Sequence, residues 1–224
     1  MIPWECLDRT KVSGNNEELT LVRRGDEFSI RIGVVELMNS RVHGSEDQLA
    51  YLTCDRLANC ADARMLIGGL GMGFTTAAAL QRLGPDATVV VAELVSAVVS
   101  WNHGPLSHLA GHPLHDNRVE VRVADVADIL RKASSVYDAI LLDVDNGPRG
   151  LTSEHNHWLY SKDGLATAFR ALRPSGILAV WSASNDQDFA RRIRRPGFSV
   201  EELVVRGRGK RGAHNVIWLA KRIA

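Results

Sequence analysis

Apolar and polar positions alternate early in the chain and run together later, and that change divides it. Leu19–Val22, Phe28–Ile32 and Val34–Leu37 are short apolar stretches punctuated by Gly25-Asp26 and by Gly33. Such runs, bounded by glycine-bearing turns, predict a small antiparallel β unit. Residues 1 to about 18 are polar and contain Pro3, Gly14 and Asn15-Asn16, which predicts a poorly ordered lead-in with Trp4 as a local anchor. Over 45–58 the period becomes helical: Leu49, Leu52 and Leu57 form a stripe behind Ser45, the expected N-cap, with Gln48 as its capping-box partner.

Beyond Ala63, apolar runs at 64–67, 88–92, 119–123, 137–142 and 177–181 alternate with helical patterns at 74–83, 95–102, 126–132, 162–172 and 186–195. An almost unbroken run such as 137–142 marks a strand buried on both faces of a parallel sheet. Gly84-Pro85, Gly104-Pro105, Pro174-Ser175-Gly176 and Pro196-Gly197 stop the helices. The stretches 198–205 and 215–221 flank a basic loop, Arg206 to Arg211, and predict a terminal hairpin. Sequential β-α-β units closed by a hairpin define an α/β protein. The expected core is a doubly wound, mostly parallel seven-stranded sheet with one antiparallel strand at its edge.

Composition narrows the partners. At 224 residues the chain accommodates one α/β domain and a small appendage. A net charge of +1 gives no electrostatic reason to expect nucleic acid or an anionic membrane. Cys6, Cys54 and Cys60 are an odd set without Cys-x-x-Cys spacing, read as reduced thiols. No apolar run approaches the roughly 20 residues that span a bilayer, and the N-terminus lacks a charged-then-apolar leader. The expectation is a soluble cytoplasmic protein.

The chemistry gathers at strand ends. Arg64 to Glu93 reads as strand, glycine cluster (Gly68, Gly69, Gly71, Gly73), helix and second strand closed by an acid. Glycines let the backbone turn sharply and let a ligand approach without meeting a Cβ. A carboxylate after the second strand suits the vicinal hydroxyls of a ribose. Asp125 and Asp143 close the third and fourth strands, and in an open α/β sheet ligands bind beyond those ends. A single acid after a strand is ordinarily a helix cap or a solvated turn, whereas four successive ends carrying the loop or an acid form a more specific pattern. A dinucleotide fingerprint fits less well, because the spacing is not G-x-G-x-x-G. The histidines show no structural-zinc spacing, so no metal is expected. The basic loop reads as a solvated hairpin rather than a grip on phosphate or RNA.

These motifs resemble a known family. Ile67 to Gly73, Val-Val-Ala-Glu93, Val-Arg-Val-Ala-Asp125, Tyr137 to Asp143 and Leu172-Arg-Pro-Ser-Gly-Ile-Leu are similar to the class I S-adenosylmethionine-dependent methyltransferase fold. Within it, the double glycine Gly68-Gly69 and the β unit in front resemble the spermidine synthase (polyamine aminopropyltransferase) branch. The resemblance runs from about Val34 to Lys221 and implies a division into residues 1–44, lead-in and β unit, and 45–224, a Rossmann-like nucleoside-binding transferase domain. It implies that Gly68, Gly69, Gly71, Gly73, Glu93 and Asp125 hold the nucleoside, with Glu93 on the ribose and Asp125 on the adenine amino group. It also implies a homodimer.

Departures from the family affect the acceptor half. An aspartate that would meet the donor's amine is replaced by Gly71, and the diamine-holding tyrosine has no counterpart among Ser45, Glu46, Asp47 and Gln48. The loop after the fourth strand reads Asp143-Val144-Asp145-Asn146-Gly147-Pro148, so its second acid has moved. Asp143, then Asp145, are the expected catalytic carboxylates. Glu46, Asp47 and His155 are expected to meet the acceptor, a small molecule; for Glu46 and Asp47 the plainer reading is a solvated first helical turn. The expected activity is methyl transfer from S-adenosylmethionine to a small polar acceptor. The alternatives are aminopropyl transfer from decarboxylated S-adenosylmethionine to a polyamine, and a non-catalytic nucleoside-binding protein.

Overall fold

The computed structural model describes residues 2–11, 18–144, 147–148, 157–208 and 211–223. Asp145, His155 and the tip of the basic loop lie outside the described residues.

Four antiparallel strands open the chain in simple meander order: β1 (Glu5–Lys11), β2 (Glu18–Arg24), β3 (Glu27–Ile32) and β4 (Val35–Asn39). The loops Gly25-Asp26 and Gly33-Val34 each carry positive φ at the glycine (61° and 55°), which a tight hairpin with glycine first requires. Leu19, Leu21, Phe28 and Ile30 alternate onto the face that joins the main core. The lead-in is more ordered than its composition suggested. Residues 5–11 form β1 on β2, Trp101 Nε1 donates to Asp8 Oδ2 at 2.7 Å, and Arg24 and Arg31 lie over the Trp4 ring. The polar stretch hid this strand because both of its faces are largely exposed.

Helix α1 (Gly44–Cys54) leads into the main sheet. Its N-cap is His43, without a side-chain cap bond. Ser45 sits inside the helix and donates to Glu46 Oε2 instead. Thereafter come β5 (Arg64–Gly68), α2 (Phe74–Leu80), β6 (Thr88–Glu93), α3 (Ser96–His103), β7 (Val119–Val123), α4 (Val126–Lys132), β8 (Tyr137–Leu142), α5 (Lys162–Ala171), β9 (Leu172–Ser182), α6 (Gln187–Arg192), β10 (Phe198–Arg208) and β11 (Arg211–Arg222). The seven strands lie in the order β10-β11-β9-β8-β5-β6-β7. The antiparallel strand is β11, which pairs with β9 on one side and β10 on the other. It therefore sits one place in from the edge, and β10 is the edge strand. The final hairpin inserts its second strand, because a hairpin can return beside β9 only by placing β10 outermost.

Each strand alternates between two cores. Ala139 and Leu141 of β8 face α1, α2, α3 and the small sheet, while Ile140 and Leu142 face α4, α5 and α6. Full burial of each large aliphatic side chain contributes about 1.5–3 kcal/mol. The chain runs outward through β5, β6 and β7 and then returns to place β8 on the other side of β5. That reversal puts Gly68 directly beside Leu142 in register. The carboxyl ends of β5 and β8 are therefore the switch point where such sheets bind ligands.

Candidate functional site

The glycine loop leaves β5 against the backbone of the returning strand. Asp143 N donates to Gly68 O at 2.9 Å. Gly69 has φ +93°, and a Cβ there would lie 2.3 Å from the Asp143 carbonyl oxygen, so no side chain fits. Gly71 and Gly73 also have positive φ. A Cβ at Gly71 would lie 2.7 Å from Met38 Sδ, so a β4 thioether fills the space where a larger residue would project.

The loop is held from two sides. Glu93, 8% exposed at the end of β6, accepts from Leu70 N at 3.0 Å and from Val95 N at 2.8 Å. Burial pushes its carboxyl above the ordinary range, and bonds from the backbone N–H groups of Val95, Leu70, Leu94 and Gly71 oppose that rise. From α3, buried Asn102 donates to Gly71 O at 2.8 Å and Val98 O at 2.9 Å. Asp125 caps α4 through one oxygen, on Ala127 N at 2.8 Å, and its other oxygen is free of that bond. Leu94 and Val123, beside Glu93 and Asp125, leave apolar surface exposed (42% and 57%).

Across the switch point the character changes. Thr75 Oγ1, on the first turn of α2, donates to Asp143 Oδ2 at 2.6 Å. Burial first and the charge of Glu46 second push the Asp143 carboxyl up to about 7, against the Thr75 bond. Burial likewise raises Glu46, assisted by Asp47 and opposed by the Ser45 hydroxyl and His43. Burial raises Asp47 too, opposed by His43, whose Nδ1 lies 2.9 Å from Asp47 Oδ2. The His43 ring stacks on Phe74 with centroids 4.0 Å apart. Glu46 and Asp47 are thus not a freely solvated first turn. Helix α1 brings Glu46 close enough to raise Asp143, while Asp47 is turned to His43.

The structure brings the glycines, Glu93, Asp125, Asp143, Glu46 and Asp47 to one end of the sheet. Asn102, Thr75, Met38 and His43 complete it, and sequence reasoning missed the site placement of all four. Asn102 lay in a stretch read only as a helix stop, and His43 was considered only as a metal ligand. Thr75-Thr76 opening an alanine-rich helix was the one available signal. Among the described residues no group of three or more His, Cys, Asp or Glu side chains is arranged to hold a metal ion. No described helix is long and apolar enough to cross a membrane.

The fold, with its small β sheet in front, is similar to that of solved spermidine synthases. The crystal structure of spermidine synthase from Thermotoga maritima superposes with a TM-score of 0.77 at 15% identity, covering 97% of this chain and 72% of that one. Spermidine synthase bound to the transition-state analogue AdoDATO gives 0.76 at 15% identity, over 97% and 72% of the two chains. A probable spermidine synthase from Corynebacterium glutamicum gives 0.67 at 14% identity, over 97% and 79%. The chain is spermidine synthase-like in fold, within the class I methyltransferase architecture. In sequence it is similar to the polyamine aminopropyltransferases of Mycobacterium tuberculosis and Mycobacterium bovis, each 26% identical over 172 residues. That match takes in 75% of this chain and 31% of the relative, so the chain spans about a third of the curated relatives' length. No protein-family model matches the chain.

Proposed function

We propose that the protein transfers an aminopropyl group from decarboxylated S-adenosylmethionine to a small cationic amine. The observation that carries this reading is the approach of Glu46, on the first turn of α1, to Asp143 at the end of β8 beside the glycine loop, with Asp47 behind Glu46. Asp143 and Glu46, half-buried and each raised by burial and by a neighbouring carboxylate, make a site that an ammonium group would stabilise directly. The names of the similar proteins support the aminopropyl alternative over the methyl transfer expected from the sequence.

Glu93 would receive the ribose hydroxyls, and Asp125 the adenine amino group, between Leu94 and Val123. A sulfonium carbon is already activated, so the reaction is a direct displacement without a covalent enzyme intermediate. The amine nitrogen must first lose a proton; its lone pair then forms the N–C bond as the C–S bond breaks, leaving methylthioadenosine. Alignment of donor and acceptor supplies much of the rate, and Asp143 anchors the amine and accepts its hydrogen bond. Asp145 and His155 remain proposed acceptor-side residues on chemical type alone.

Incubating the protein with decarboxylated S-adenosylmethionine and putrescine, and following methylthioadenosine release, tests this reading. Release that depends on both is expected; none with any polyamine overturns it. One observation favours methyl transfer as a second reading. Gly71 offers no anion to the donor's amine, and Met38 occupies the space. S-adenosylhomocysteine produced from S-adenosylmethionine, with no reaction of the decarboxylated donor, would select it.

A further inference from the structure

We propose that His43, oriented by Asp47, carries the acceptor's proton from the pocket to solvent; this rests on the aminopropyl-transfer reading above. Every turnover on a cationic amine releases one proton. The nitrogen gives it up, the N–C bond forms, the C–S electron pair stays on the sulfur of methylthioadenosine, and the proton has to leave the pocket before the next cycle. Asp143 and Glu46 repel each other across a partly buried space, so they hold an ammonium well but give a released proton no direct route out. His43 stands at the rim of that space, with its side chain 37% exposed.

Its geometry is set from two directions. The ring lies flat on Phe74, 11° from parallel, and Phe74 immediately precedes the Thr75 that holds Asp143. Nδ1 faces the Asp47 carboxylate at 2.9 Å. When Nδ1–H is donated to that carboxylate, the lone pair lies on Nε2. No hydrogen bond reaches Nε2 among the described residues. A solvated i,i+4 ion pair explains the Asp47 contact but not the stacked ring or the proximity to Glu46. The charged groups near His43 are Glu46 and Asp47 on its own helix and, beyond Glu46, Asp143 at the end of β8. Arg206, paired with His214, lies on the hairpin segment whose Gly207 backbone packs against Gly44. The proton passes from the amine to Nε2, the imidazolium is stabilised by Asp47, and water receives the proton from the exposed edge.

The test is His43→Phe, which keeps a ring on Phe74 and removes the proton acceptor. With putrescine and decarboxylated S-adenosylmethionine, kcat is expected to fall about 10- to 100-fold, with KM for the amine little changed and the acidic limb of the pH profile lost. His43→Ala is expected to regain activity when imidazole is added, whereas His43→Phe is not. A His43→Phe enzyme with wild-type kcat and pH profile overturns the inference while leaving the aminopropyl reading intact. A wild-type protein that binds donor but transfers nothing overturns that reading and this role with it. Nitrogen-15 NMR reads the geometry without activity: wild-type His43 should carry its proton on Nδ1, and Asp47→Asn should lose that preference. A proton on Nε2 in the wild type also overturns the inference.

Discussion

The two halves of the site are built on opposite electrostatic terms. On the proposed nucleoside side, Glu93 and Asp125 accept from backbone N–H groups, and Asn102 holds the glycine loop through Gly71 O. On the proposed acceptor side, Glu46 acts on Asp143 and Asp47 on Glu46, and Thr75, Ser45 and His43 supply their hydrogen bonds. The first set is bonded within the folded chain. The second carries unresolved repulsion, which a cation relieves. On the proposed function, a hydrogen-bonded half would hold one substrate by shape and a charge-loaded half would draw in the other by charge.

Asp143→Asn should separate the halves most widely. On the reading above it lowers kcat about 100- to 10,000-fold, while methylthioadenosine affinity, measured by calorimetry, stays close to wild type. Loss of nucleoside binding in this variant would break the division.

Glu93→Gln tests the other half. The new amide sets an N–H group against backbone N–H donors, so the loop loses one of its two anchors. Losing a charged hydrogen-bond acceptor costs about 1.5–3 kcal/mol, and methylthioadenosine affinity should fall about 10- to 100-fold. An unchanged dissociation constant would remove Glu93 from the nucleoside half.

The repulsion should also appear in stability. Burial and the charge of Glu46 push Asp143 up to about 7 in the folded protein, against about 3.9 in an unfolded chain. Between those values the folded state binds more protons than the unfolded state, so this group's contribution falls as pH rises through the window and stays unfavourable above it. Asp143→Asn should therefore melt higher than wild type at pH 8, by about 2–8 °C if about 1–2 kcal/mol is relieved. Below about pH 4 the difference should vanish. A lower melting temperature at pH 8 would mean that Asp143 is stabilising and that the acceptor half is not strained.

The smallest effect belongs to Asp125. Asp125→Ala removes the α4 cap and should cost about 1 kcal/mol of stability, seen as a melting temperature about 2–4 °C lower. If Asp125 meets adenine, its free oxygen adds a loss of affinity that Asp125→Ser, which can still cap, shares. If Asp125→Ser restores both stability and binding, the residue is a cap alone.

Local pattern decided a large part of this molecule. Glycine-first turns, unbroken apolar strands and an acid or glycine loop at each strand end are short-range features, written within a few residues of where they act. They made the α/β class, the β2–β4 meander and the strands β5 to β8 legible in order, and they singled out the glycine loop and the strand-end acids that the fold brings to one end of the sheet. Position in space was decided only by the tertiary structure. The polar β1 formed because a partner strand and Trp101 were available, and β11 was inserted inside the edge by the way the last hairpin returns. Asn102, Thr75, His43 and Met38 became site residues because α1, α2, α3 and β4 converge on one end of the sheet. Glu46 and Asp47 look like an ordinary helical first turn until α1 is packed over β8. Burial and the approach of a distant carboxylate are properties of that packing, and no spacing along the chain encodes them.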